Sequence, residues 1–145
     1  RADPFHQRLS NAVIFASIIY RLARAQALTQ GEDPNRSTAI LNATAAILER
    51  LLNHLFLPRR VQEEIRLLSH VQNKLIRPPR RPKGMKLLVN RSYFPNALEL
   101  LRLCLRGERR PLTICRWWEE AAALCEKEEA TPILQKHIEQ CPCFT

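Results

Sequence analysis

Residues 58–84 read PRRVQEEIRLLSHVQNKLIRPPRRPKG, and the fold is decided there. Val61, Ile65, Leu68, Val71 and Leu75 recur every three or four positions, which puts them on one face of a helix predicted from Pro58 to about Ile76. Arg59, Glu63, Arg66, His70, Lys74 and Arg77 fall on the opposite face, a mostly cationic ridge. Leu57-Pro58 forms a joint before it, since proline disfavours helix in the preceding residue and suits the first turn of the next. After it, Pro78, Pro79 and Pro82 favour an extended, polyproline-like strut over 77–84, with Gly84 permitting a turn. Four cations on that strut are expected to stay solvated and accessible, as a bare linker or as a clamp for phosphates.

The flanks read as helices too. A first helix is predicted from Phe5 to about Thr29 on Leu9, Ala12, Val13, Ala16, Ile19, Leu22 and Ala23, stopped by Gly31 and Pro34. Ile14, Phe15 and Ile18 widen its apolar surface, so both of its sides are expected to touch protein. A second runs from about Ser37 to Leu55, with Asn35 or Ser37 as the candidate cap. Beyond the strut come a short helix at Met85 to Val89, one from near Pro95 to Gly107, one opened by Pro111 and carrying Trp117 and Trp118, and a last one begun by Thr131-Pro132. With no credible strand, the fold class is all-α: an irregular multi-helix array of about six to seven helices.

Charge is segregated. Between Arg59 and Arg116 stand fifteen Lys or Arg against four acids, net +11, while the rest of the 145-residue chain is net −2. Such a concentration repels itself unless a polyanion neutralises it, and a nucleic acid is the commonest such partner. No uninterrupted apolar run reaches the roughly 20 residues that span a bilayer, and no membrane partner is expected. The start, Arg1 to Pro4, lacks an initiator Met and a cleavable signal pattern, so the chain is expected to be a piece of a longer protein. Five cysteines without paired C-x-x-C spacing are expected to be free thiols in a reducing cytoplasm, with Cys104 in the core and no metal bound. His6, His54, His70 and His137 are isolated and read as ordinary histidines. Two-metal nucleotidyl transfer needs carboxylates about 4 Å apart on a rigid element. Asp3 and Asp33 each adjoin a proline in a predicted loop or end, so no catalytic residue is expected.

Several motifs stand in a familiar order: Pro58-Arg59-Arg60 opening a long helix, the basic connection from Arg77 to Lys83, then Lys83-Gly84-Met85-Lys86-Leu87-Leu88, Phe94 with Ala97-Leu98-Glu99-Leu100-Leu101, and Trp117-Trp118. Together they resemble the RNA-binding body of bacterial poly(A) polymerases, of the tRNA nucleotidyltransferase superfamily. Met85, where that family commonly has an aromatic, and Asn90-Arg91-Ser92-Tyr93, in place of a His-Pro step, depart from it. The resemblance implies a neck-like helical subdomain at 1–57 and a basic RNA-binding body at 58–145. It also implies a nucleotidyltransferase head upstream, which would use Mg²⁺ and ATP to add AMP to RNA 3′ ends. No cofactor is expected in this stretch itself.

Arg59, Arg60, Lys74, Arg77, Arg80, Arg81, Lys83, Lys86 and Arg91 are the expected phosphate contacts to single-stranded RNA, with Arg102, Arg106, Arg109 and Arg110 as a possible extension. Tyr20 and Tyr93 are candidates for base stacking, and Trp117 at least is expected in the core. Arg21 and Arg24, if the first helix is the neck, are expected near the nucleotide. Alternatives are the same region of a CCA-adding tRNA nucleotidyltransferase and a helical module binding an acidic protein or an anionic membrane.

Overall fold

A computed structural model describes residues 10–127 and 131–142. These residues form seven helices and no strand: α1 (Asn11–Thr29), α2 (Ser37–Leu52), α3 (Arg59–Ile76), α4 (Pro82–Val89), α5 (Phe94–Gly107), α6 (Thr113–Cys125) and α7 (Thr131–Glu139). The all-α expectation holds. The chain divides into two compact units, Arg1–His70 and Val71–Thr145, and α3 runs from the first into the second.

In the first unit α1 packs on α2. Ala12, Val13, Ala16, Ile19, Tyr20, Ala23 and Ala27 are buried on α1, and Ala39, Ile40, Ala43, Ile47 and Leu48 on α2. The many alanines let the two backbones approach closely. The Ser10 hydroxyl accepts from the Val13 amide at 3.1 Å, a cap that satisfies one of the orphan N–H groups of the first turn. The predicted stretch from Phe5 to Leu9 lies outside the described residues. At the other end Gly31 takes φ 74°, and the amides of Gly31 and Glu32 return to the Leu28 and Ala27 carbonyls at 3.0 and 2.8 Å. Such a paired reversal needs a left-handed residue, which is why glycine stands there.

Helix α1 is, by length and composition, long and apolar enough to cross a membrane. Ile14, Ile18 and Leu22 are exposed, so the expectation that both sides touch protein is not met on that face.

Two expectations for α2 are corrected. It ends at Leu52, three residues early, and Leu55 and Phe56 are exposed. Its cap position is Arg36, with no side-chain cap bond; Asn35 instead gives its amide to Asp33 Oδ1 at 2.9 Å, a local turn that competes with capping. Helix α3 begins at Arg59, and the Gln62 side-chain amide donates to the Leu57 carbonyl at 2.8 Å, satisfying the joint.

The second unit is built around α6, which packs on α4, α5 and α7. Trp118 is fully buried, with its ring 5.6 Å from Phe94 and edge-on to Trp117 at 5.1 Å. Its indole N–H donates to the Leu75 carbonyl at 2.8 Å. Chain chemistry makes that bond necessary: the helical partner of the Leu75 carbonyl would be the amide of residue 79, and Pro79 has none. Leu75 is buried, so water does not replace it. Trp117 is buried as well. Its indole donates to the His137 carbonyl at 2.9 Å, and the His137 ring stacks on it at 4.8 Å with Nε2 at 2.9 Å from the Trp117 carbonyl. A carbonyl only accepts, so Nε2 is the donor in that contact. His137 is therefore no isolated surface residue: it clasps α7 to α6. The Gln72 side-chain amide, also buried, donates to the Ala97 carbonyl of α5 at 3.0 Å.

The strut is shorter than expected. Pro82 is the first residue of α4, so the non-helical connection is only residues 77–81, with bends at Arg77, Arg80 and Arg81, and Pro78 is buried. Gly84 is helical and makes no turn; a Cβ added there would stand 2.9 Å from Pro79 Cβ. Gly84 lets α4 close against the proline run. At the end of α5, Gly107 is the last helical residue and Arg109, at φ 55°, takes the left-handed position. The Arg110 amide bonds to the Leu105 carbonyl at 2.8 Å and completes that reversal.

Gly84→Ala is expected to lower stability. Overpacking against the rigid Pro79 ring costs about 1–3 kcal/mol, more than the gain of up to about 1 kcal/mol in helix propensity. Thermal unfolding of the full chain checks this, and a variant at least as stable as the parent would contradict the contact.

Candidate nucleic-acid interface

The sequence holds no acid between Glu64 and Glu99, and seven cations lie between Lys74 and Arg91. The fold gives each of them a place. Lys74 closes α3, where a cation also complements the partial negative charge of the helix end. Arg77, Arg80 and Arg81 lie on the short connection 77–81, Lys83 and Lys86 lie on α4, and Arg91 is in the turn leading to α5. Apolar residues of the same stretch point the other way: Leu75, Met85 and Leu88 are buried, as is Pro78. The charges stay in water because their neighbours carry the packing. All seven are exposed except Lys86, which is half-buried and donates to the Thr131 hydroxyl at 3.1 Å.

On the outward side of α4 lies a concavity of about 530 Å³. Lys83, Leu87 and Arg91 follow one another every fourth residue along its floor, with Lys86 and Asn90 beside them and Pro82 at the head. Among the described residues no acid lines it. Cys125 lies near its rim; burial pushes its thiol up, against the opposing charge of Lys86.

Other expected site residues fall elsewhere. Arg59 and Arg60 are exposed in the first unit, with Arg59 paired to Glu63 at 3.1 Å. Tyr20 is buried beneath Arg24, whose guanidinium carbon stands 5.9 Å from the ring centre, so it offers no face to a base. Arg21 is exposed and Arg24 half-buried. Tyr93 is half-buried in the turn before α5. Trp118 is excluded from stacking, because α6 has neighbours on three sides and buries both indoles.

Arg102 is no extension of the groove. It is held between Glu99 and Glu119, and although burial disfavours its charge, the hydrogen bonds and charges of Glu119 and Glu99 outweigh that and hold it protonated. Arg110 pairs with Glu108 at 3.5 Å, while Arg106 and Arg109 are exposed. The Cys115 thiol is buried nearby, and that burial pushes it up. Leu87, Asn90 and Thr131 are site residues that the sequence did not single out. The four-residue spacing of Lys83, Leu87 and Arg91 was available as a signal; the approach of Thr131 was not.

Among the described residues no group of three His, Cys, Asp or Glu is placed to hold a metal, and Asp33 is the one described aspartate. The side chains here do not fit the Mg²⁺ that the resemblance implies. The described residues form an all-α region whose stretch from 65 to 98 carries cations and no acid. More narrowly, a family described as the polymerase A arginine-rich C-terminus matches residues 30–141, and the chain belongs to that family. It thus contains a poly(A) polymerase C-terminal region. No curated protein and no solved structure matches it.

Arg102→Gln is expected to lower stability by about 1–3 kcal/mol, since it leaves two carboxylates facing each other across a partly buried site. The same substitution should leave the salt dependence of RNA binding unchanged, and a shallower slope would return Arg102 to the interface.

Proposed function

We propose that this region holds RNA for a poly(A) polymerase that adds AMP from ATP to RNA 3′ ends, with the chemistry carried by another part of the protein. The observation that carries the reading is the run from Lys74 to Arg91, in which six of seven cations are exposed over a buried apolar backing with no acid among them. Contacts of this kind grip phosphates and fix the strand without reading its sequence, as suits an enzyme that acts on many transcripts. The bound species is a single-stranded 3′ end. Arg77, Arg80 and Arg81 have the most direct role, because three exposed guanidinium groups stand within five residues of one short connection. Lys74, Lys83, Lys86 and Arg91 extend that cluster on either side. Arg59 and Arg60 supply phosphate contacts of their own on the first unit. Tyr93 is the remaining tyrosine able to offer part of a ring to a base. Mg²⁺ and ATP belong to the catalytic part, and the setting is cytoplasmic.

The test is the salt dependence of single-stranded RNA binding by the full chain. Neutralising about five phosphates predicts a slope of log affinity against log salt near −3.5. Replacing Arg77, Arg80 and Arg81 by Gln together should make it shallower by about 2 and weaken all RNA sequences alike. A slope near zero, or one indifferent to the triple substitution, would overturn the reading.

A further inference from the structure

The backbone grip leaves the concavity on α4 unexplained. Phosphate neutralisation needs cations alone, yet this surface sets Leu87, 56% exposed, between Lys83 and Arg91. Its volume of about 530 Å³ lies within the roughly 300–1,000 Å³ typical of small-molecule sites. From these features we infer that the concavity is a subsite for one unpaired adenine nucleotide of the bound strand, an inference that rests on the RNA-holding function proposed above.

Each part of a nucleotide has a complementary surface. A base is a flat apolar body, and Leu87 with the Pro82 ring offers an apolar floor that the protein leaves uncovered. A purine covers more of such a floor than a pyrimidine does. The phosphate on either side of the base meets Lys83, Lys86 or Arg91. Lys86 is held by the Thr131 hydroxyl, so one charged edge is in position before the ligand arrives. Asn90, also in the lining, carries a donor and an acceptor in one plane, and adenine presents an acceptor at N7 and a donor at N6 along one edge. The site thereby supplies the base preference that the phosphate contacts lack.

The test measures binding of labelled ten-nucleotide oligo-A and oligo-U to the full chain at one fixed salt concentration. Oligo-A should bind about fivefold tighter or more, the lower end of what one paired base contact gives. Leu87→Ser and Asn90→Ala should each reduce that ratio towards one, Leu87→Ser by weakening oligo-A more than oligo-U and Asn90→Ala with oligo-U affinity unchanged, while the salt slope stays as in the parent in both. Equal binding of the two oligomers by the parent, or a ratio that survives both substitutions, overturns the subsite and leaves the phosphate grip standing. If neither oligomer binds, the RNA-holding function falls and the subsite with it. Competition by free AMP as effective as that by oligo-A would reassign the site to a free nucleotide and likewise overturn the inference.

Discussion

A buried carbonyl with no helical partner organises the second unit. Pro79 removes the amide that would have bonded the Leu75 carbonyl, and the Trp118 indole takes its place at 2.8 Å. An unsatisfied group at that depth costs about 1–3 kcal/mol, comparable to the whole margin that a single substitution can remove from a small domain. The same indole is wedged against Phe94 and Trp117, so the bond cannot be made without the packing, nor the packing without the bond. The end of α3, the start of α5 and the hub helix α6 are thereby tied at one point.

That knot also sets the placement of charge. Prolines at 78, 79 and 82 stiffen the chain, but stiffness alone does not aim it. Burial of Pro78, the closeness of Gly84 to Pro79 and the anchoring of Leu75 together hold residues 77–81 against the body, with their arginines outward. A floppy cationic linker loses conformational entropy whenever it binds; a segment held this way has already lost it during folding. Packing at Trp118 and the proposed phosphate grip thus rest on one arrangement.

Much of this was readable in the sequence, and the failures have physical causes. The α3 face from Ile65 to Leu75 and the ridge opposite it followed from three- and four-residue spacing, because an amphipathic helix states its own orientation. The helix ends were harder. Arg36, Arg109 and Pro82 mark boundaries set by local turn geometry, where Asp33 competes with a cap and an arginine takes the left-handed position that glycine favours. Tyr20 and Arg102 went astray for a different reason. Each is an amphipathic or charged side chain whose environment is set by its partners: Arg24 over the ring of Tyr20, and Glu119 of α6 for Arg102. Spacing along one helix does not reveal how many neighbours it will have. The spacing of Lys83, Leu87 and Arg91 was legible, but the concavity was not, because it also needs Thr131 at the start of α7 beside α4.

The most direct measurement is the hydrogen-exchange rate of the Trp118 indole N–H, read by nuclear magnetic resonance in the full chain. A bond that ties the Leu75 carbonyl into the core should exchange only on opening of the whole unit, as slowly as the deepest amides of α6. Exchange at the rate of a free indole would mean that the carbonyl is satisfied some other way, and the proline segment would lose its anchor.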